Sequence, residues 1–150
     1  MPAVKNLYLM LSCLALVSCG TSQNKEIIDT CSCVFVDFGP NALYITKDSE
    51  DLLTVAKVEF GGCEIIHKSD EVIAKISASE FARIKNHLSA LVARRNLDLK
   101  REEGMEETRP PKITVRNVAA DHSLQDHVIV CPEEDLNAVV QDIQSVYMNK

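Results

Sequence analysis

The chain has 150 residues and a formal net charge of −6 at pH 7, with 22 acidic against 16 basic side chains. The acidic balance and the lack of a basic stripe with interleaved aromatic residues argue against a nucleic-acid-binding domain. The absence of tryptophan argues against a carbohydrate-stacking surface. This length suits a single domain, which can bury roughly two-thirds of its surface without needing a metal or a disulfide in order to fold.

The chain begins with a segment typical of an export signal. Lys5 is the only charged residue among the first 18, and an uncharged run of eleven residues, LYLMLSCLALV, follows at 7–17. This run is too short to cross a bilayer, because a spanning helix needs roughly 20 apolar residues. A positive start, a short apolar run and small Ser18 before Cys19 together indicate a signal peptide.

The stretch LVSCG at 16–20 resembles the lipobox of bacterial lipoproteins. The resemblance implies removal of residues 1–18, a diacylglycerol on the Cys19 thiol and a fatty acyl group such as palmitate on the new N-terminus. It also implies a cell-envelope location, on the outer membrane in a Gram-negative cell, since Gly20 is not the Asp that retains some lipoproteins at the inner membrane. The alternatives are lipidation at Cys13, an ordinary cleaved signal, or a buried helix that contains the cysteine.

The residues after the cleavage point are predicted to link the anchor to the domain. Residues 19–30 are expected to comprise the lipidated cysteine and a polar tether, whose r.m.s. span as a flexible chain is about 18 Å. The predicted α+β domain is 31–150. Loss of Lys5 takes the formal charge from −6 to −7, which mildly repels the domain from anionic lipid.

The first half of the domain carries the pattern of an antiparallel meander. Strands are predicted at 31–38, 42–46, 53–60, 63–68 and 72–77, because these segments are rich in β-branched and aromatic residues. Turns are predicted at 39–41, at Gly61–Gly62 as a two-residue hairpin, and at 68–71. The segment 53–60 also fits a helical period, and its strand interpretation puts Thr54, Ala56, Val58 and Phe60 on one face.

Two amphipathic helices complete the predicted fold. Ser77 and Glu80 form a capping box, and apolar residues then recur at helical spacing in a helix expected to stop by Gly104. Strands follow at 112–118 and 127–130, and Pro132 with three acidic residues starts the second helix. The expected apolar stripes are Phe81, Ile84, Leu88, Leu91 and Val92, then Leu136, Val139, Val140, Ile143, Val146 and Tyr147. The predicted class is therefore α+β, one small domain with an antiparallel sheet packed by two helices.

Four cysteines remain in the predicted mature domain, namely Cys31, Cys33, Cys63 and Cys131. An exported protein meets an oxidising compartment, so at least one disulfide is expected, for example between Cys33 and Cys131. Cys31 and Cys33 would share one face of a strand, where a bond between them would strain the backbone. A C-x-C pair also suits soft metals, which thiolates bind.

Three histidines are weak candidates for a metal or catalytic role. His67 lies on a predicted strand near Cys63, while His122 and His127 flank a polar loop and each follows an aspartate. A neighbouring carboxylate can orient an imidazole for zinc or for base catalysis. The spacing matches no established metal motif, and no catalytic motif identifies an enzyme.

Two functions from different classes fit these features. The first is a non-enzymatic, membrane-anchored envelope lipoprotein that presents its domain to an envelope protein or serves a structural role. It requires no cofactor beyond the covalent lipid on Cys19 and no nucleic-acid partner. The second is a thiol-redox or metal-binding lipoprotein that uses Cys31, Cys33 and Cys63 to hold zinc or copper.

Overall fold

The computed structural model describes residues 20, 22–39, 41–48, 50–61, 66–101 and 111–148, with the backbone alone at 60–61 and 66–70. The predicted signal segment, Cys19 and Cys63 lie outside these residues. The elements in chain order are helix α1 (22–30), strands β1 (Cys33–Asp37), β2 (Asn41–Lys47), β3 (Leu53–Gly61) and β4 (Ile66–Lys75), helix α2 (Ala78–Arg95), strands β5 (Lys100–Arg101), β6 (Lys112–Val118) and β7 (Leu124–Ile129), and helix α3 (Glu133–Met148).

The seven strands form one antiparallel sheet in the order β4-β3-β2-β1-β6-β7-β5. The described helices cover one face of it: Ile28 of α1, Leu88 of α2 and Ile143 of α3 are fully buried in a single apolar cluster. The sheet contributes alternate residues to that cluster, namely Val34, Val36, Leu43, Ile45, Val55, Ile113, Val115 and Ile129. This architecture confirms the predicted class, α+β with an antiparallel sheet packed by amphipathic helices in one small domain.

The two predicted helices form where their local signals indicate. Ser77 is the N-cap of α2, its side chain accepts from the Glu80 N–H, and its own N–H donates to the Glu80 carboxylate at 2.6 Å. This reciprocal pair is the predicted capping box. All five predicted apolar positions of α2 are buried, and in α3 Val140 and Tyr147 are half-buried at the margin of a buried stripe.

Helix α1 occupies the segment for which a flexible tether was expected. Ile28 is fully buried in the core, so the packed domain begins within α1 rather than after it. Two side chains from other elements hold the last turn: the Asn117 amide donates to the Ile27 carbonyl at 3.0 Å, and Lys85 Nζ donates to the Asp29 carbonyl at 2.6 Å. An isolated helix this short is marginal in water, so these tertiary contacts are what stabilise it.

Helix α2 ends at Arg95, well before the predicted end near Gly104. Asn96 adopts the left-handed conformation, with φ of 50°, and its N–H and that of Leu97 bond to carbonyls of the last turn. Asparagine tolerates this conformation, which redirects the chain. Lys100–Arg101 then form β5 beside β7 instead of continuing the helix.

Strand β4 is continuous through the turn that was predicted at 68–71. Residues 69–71 pair with 57–59 of β3, and bulges next to Val55 and Glu59 absorb the irregular register. The long partner strand supplies backbone hydrogen bonds that a local turn would forfeit. Gly61 pairs with Ile66, and the hairpin predicted at Gly61–Gly62 falls on residues 62–65, outside the described part of the chain.

In the β6–β7 hairpin, the bounds of one strand were predicted correctly and the other strand is longer than predicted. Strand β6 has the predicted bounds, whereas β7 starts at Leu124 rather than at His127. The additional residues bring Asp126 opposite Arg116 and Leu124 opposite Val118. This extension creates part of the candidate site described next.

Candidate functional site

The face of the sheet opposite the three described helices is the first candidate surface, and we call it the helix-free face. Because side chains alternate along a strand, it carries the residues between those of the apolar cluster. Ala42 and Val58 lie on it and are buried outside that cluster, which separates the two sides of the sheet. Further members on the central strands include Cys33, Phe35, Asp37, Tyr44, Thr114, Arg116, Asp126 and Val128.

A charged and aromatic cluster lies on this face, and we call it the Arg116 cluster: Phe35, Tyr44, Arg116 and Asp126. The rings of Phe35 and Tyr44, on paired positions of β1 and β2, meet edge to face with centroids 4.7 Å apart. The Arg116 guanidinium lies 4.9 Å from the Phe35 ring centroid and donates two hydrogen bonds of 2.7 and 2.8 Å to Asp126. These bonds raise the pKa of Arg116, and their fork geometry fixes the cation over the ring.

Exposed apolar side chains adjoin the Arg116 cluster. Val118 and Leu124 are cross-strand partners and are 52% and 59% exposed. Each lies two residues along its strand from a member of the ion pair, so aromatic, charged and apolar groups follow one another on one surface. Val72, 61% exposed, is on the same side of the sheet at its β4 edge. Such combinations are typical of protein-contact surfaces.

The structure separates the two cysteines that were expected to share a face. Cys31 is in the helix-covered core and 4% exposed, whereas Cys33 is half-buried on the helix-free face. Strand β1 begins only at Cys33, so strand alternation does not relate the two side chains. Cys31, Cys33 and Cys131 are free thiols in this structure, and the expected disulfide, for example between Cys33 and Cys131, stays a prediction.

Two of these thiols lie in surroundings that favour the neutral form. Burial raises the pKa of Cys31 to about 12, more than the nearby Lys85 ammonium lowers it. Burial, and then the negative charge of Asp135, also raise the pKa of Cys131. Thiol exchange proceeds through the thiolate, so neither side chain is activated for that reaction near neutral pH.

The candidate histidines lie apart from one another in the fold. His67 is on β4, where the backbone alone is described. His122 is exposed in the β6–β7 turn at φ of 65°, whereas His127 is half-buried on β7 and faces the helices. Within the described ranges, no group of three or more His, Cys, Asp or Glu side chains is arranged to hold a metal ion.

The aspartates that precede these histidines bind other groups. Asp121 accepts from the N–H and hydroxyl of Ser123, at 3.0 and 2.6 Å, and Asp126 holds Arg116. A histidine–carboxylate contact occurs instead between α2 and α3, where His87 Nδ1 lies 3.2 Å from Asp142. Sequence reasoning missed this pair because only the antiparallel packing of the two helices brings it together.

A second cross-helix contact joins the end of α2 to the start of α3. Asp135 is 5% exposed and accepts from Arg94 at 3.1 Å and from Arg95 at 2.8 Å, and Arg95 also donates to Glu134 at 2.6 Å. Its position in the first turn of α3 also complements the positive end of the helix. This cluster is therefore structural, and it fixes α3 against α2.

A polar groove of about 400 Å³ lies between α1 and the β6–β7 hairpin. It contains His127 Nδ1 and Asn117 Oδ1, two buried atoms with no hydrogen-bond partner among the described residues. Burial, and then the positive charge of Arg101, lower the pKa of His127. The neutral imidazole therefore prevails in the folded protein near pH 7.

A larger groove of about 500 Å³ separates α1 from the C-terminal half of α2, and we call it the α1–α2 groove. Gly20 lines it at the start of the described chain, and Leu97 lines it just after α2. The Asn24 amide donates to the Leu97 carbonyl at 3.1 Å and joins the two sides. Ser89 contributes a buried hydroxyl that has no partner in the described part of the chain.

Comparisons with known proteins identify no family for this chain. No family model, no curated protein and no solved structure matches the chain. Among the described helices, none has both the length and the hydropathy that crossing a bilayer would demand. The candidate sites therefore rest on the sequence and on the geometry given above.

Proposed function

We propose that this chain is a lipid-anchored envelope protein that acts through noncovalent protein contacts rather than by catalysis. The observation that carries the anchor is the LVSCG stretch at 16–20, which follows a short uncharged run. The thiol of Cys19 would be the attachment atom, and several acyl chains on one residue would give a stable anchor. In the domain that follows, one buried apolar cluster joins the three described helices to the sheet, so the domain can present a fixed surface to a partner.

The helix-free face supports the contact function. It combines the Arg116 cluster with the exposed Val118 and Leu124 pair, and aromatic residues and arginine are enriched where proteins bind one another. The guanidinium is already oriented by Asp126, so little side-chain entropy is lost when a partner covers it. We therefore assign this face as the partner-binding surface.

The anchor is tested by metabolic labelling with an alkyne fatty acid. We expect Cys19→Ala to abolish labelling, because the thiol that receives the lipid is gone, and Cys13→Ala to be labelled like the unmodified chain. Fractionation of the same cells would then find the Cys19→Ala chain outside the membrane pool or uncleaved. Undiminished labelling of Cys19→Ala, or loss of labelling in Cys13→Ala alone, would contradict the anchor.

The contact surface is tested by site-specific photocrosslinking in the native envelope. A photoreactive residue replaces Leu124 on the helix-free face, and a matched one replaces Gln141 on the exposed side of α3. We expect a discrete adduct from position 124 that Arg116→Ala weakens, and none from position 141. Equal crosslinking from both positions would show that this face has no special role.

The alternative, a thiol-redox or metal function, would use Cys31 and Cys33 together, yet Cys31 is buried in the helix-covered core and Cys33 lies on the other side of the sheet. Intact mass with and without alkylation, followed by elemental analysis, tests it. We expect no stoichiometric metal, and faster alkylation of half-buried Cys33 than of Cys31 in the folded domain. One bound zinc or copper per chain, lost in a Cys31→Ser and Cys33→Ser variant, would favour the alternative.

A further inference from the structure

We propose that the α1–α2 groove faces the membrane and contacts the phospholipid headgroups of the bilayer that holds the anchor. The proposal rests on the lipid anchor at Cys19 and adds an orientation to it. The domain would lie with its helices towards the lipid and its helix-free face towards the envelope space.

Covalent geometry gives the first argument. Consecutive Cα atoms are about 3.8 Å apart, so Cys19 cannot lie farther than this from Gly20, which is helical and lines the groove. A flexible segment of the same length would have allowed an r.m.s. separation of about 18 Å and free rotation. Because α1 leads directly into the core through Ile28, the attachment point is instead held beside one part of the domain.

The chemistry of the groove gives the second argument. Lys25, whose side chain is 67% exposed, and Asp98 bring both signs of charge to its walls. Ser22 and Asn24 add a hydroxyl and an amide group. A phospholipid headgroup has a phosphate that accepts from lysine and hydroxyl donors, and in phosphatidylethanolamine it also has an ammonium that a carboxylate can bind. These groups match headgroups better than acyl chains.

The position of the groove in the fold gives the third argument. It lies in the helix layer, because α1 and α2 both bury their apolar sides in the cluster that covers one face of the sheet. The Arg116 cluster lies on the opposite face. One orientation therefore places headgroups against the groove and leaves the proposed partner surface free.

The absence of tryptophan from the chain allows a direct test with single-tryptophan reporters. The lipidated full chain is reconstituted in vesicles of phosphatidylethanolamine and phosphatidylglycerol that contain a nitroxide-labelled headgroup lipid. Ala93→Trp reports on the groove. Ala82→Trp reports on an exposed position of the same helix, α2, about 16 Å from Ala93 along the helix axis. Val72→Trp reports on the helix-free face. Ser22→Trp is a second groove reporter on α1, in case Ala93→Trp disturbs α2.

We expect the nitroxide lipid to quench Ala93→Trp and Ser22→Trp strongly, Ala82→Trp less, and Val72→Trp least. Equal quenching at all positions, or stronger quenching at position 72, would overturn the orientation. Flotation of the same vesicles reports on the anchor separately. A chain that does not float with the vesicles contradicts the anchor, whereas one that floats with uniform quenching contradicts only the groove contact.

Discussion

The helix-covered and helix-free faces of the sheet are formed by alternate residues of the same strands, yet they are filled in different ways. Val34, Val36 and Ile45 on the covered face are fully buried against three helices. The other face carries half-buried aromatic rings, a bidentate ion pair and exposed valine and leucine side chains. Stability is therefore concentrated on one side of the sheet, and the side chains suited to contacts lie on the other.

The largest expected effect tests whether α1 belongs to the covered face. Ile28→Ala should lower the free energy of unfolding by about 2–5 kcal/mol, because it removes a fully buried side chain and leaves a cavity. Gln23→Ala, on the exposed side of α1, should change it by less than about 0.5 kcal/mol. Chemical denaturation of the non-lipidated domain measures both. Equal values would mean that α1 is a tether after all.

The next effect concerns the contact between α2 and α3. Asp135→Asn keeps the shape of the side chain but removes the charge that Arg94 and Arg95 bind, so we expect a loss of about 1–3 kcal/mol. Glu133→Gln is the matched control, because it removes a charge from the same helix turn at an exposed position. If the two variants unfold at the same denaturant concentration, the charge of Asp135 stabilises the domain only through the helix dipole, and its contacts with Arg94 and Arg95 add nothing.

A smaller effect is expected on the helix-free face. Arg116→Lys keeps the positive charge but loses the forked pair of hydrogen bonds and the guanidinium contact with the Phe35 ring, which should cost about 1 kcal/mol. Arg101→Lys on the edge strand should be neutral. If Arg116→Lys destabilised the domain as much as Ile28→Ala does, the conclusion that stability is concentrated on the helix-covered face would be wrong.

The smallest effect is a pH dependence carried by His127. Its pKa in the folded protein lies below the ordinary 6.5, mainly because of burial. The unfolded chain therefore binds more protons in the window between those two values, and the free energy of unfolding falls as the pH falls through it. Melting temperatures at about pH 7.5 and about pH 5.5 should differ less in His127→Gln than in His122→Asn. The same difference in both variants would exclude His127 as the cause.

Sequence patterns predicted the elements whose stability is local. The capping box at Ser77, the apolar stripe of α3 and strand β6 were all correct, because each is specified by spacing or composition within a few residues. Strand alternation also predicted that Thr54, Ala56 and Val58 share one face, while the side chain of Phe60 lies outside the described residues; which face carries no helix did not follow from it. The candidate lipidation site is likewise a local motif, and it stays a prediction until Cys19 is tested.

The rest depended on partners that are distant in the chain. Nothing within 22–30 indicates that Ile28 will be buried by a sheet or that Asn117 will hold the end of the helix. Pairing with β3 replaced the predicted turn at 68–71, and the prediction that Cys31 and Cys33 share a face failed because the strand begins only at Cys33. Arg116 and Asp126 meet only once β7 is extended to Leu124.

What the sequence by itself determined was therefore the fold class, the two long amphipathic helices with their buried sides, and most of the strands. What only the tertiary structure decided was where the domain begins, which cysteines are accessible and which charged groups form pairs. The physical reason is that patterning and capping act over one or two turns. The contacts that fold α1, straighten β4 and orient Arg116 bring together residues that are far apart in the chain or depend on strand register.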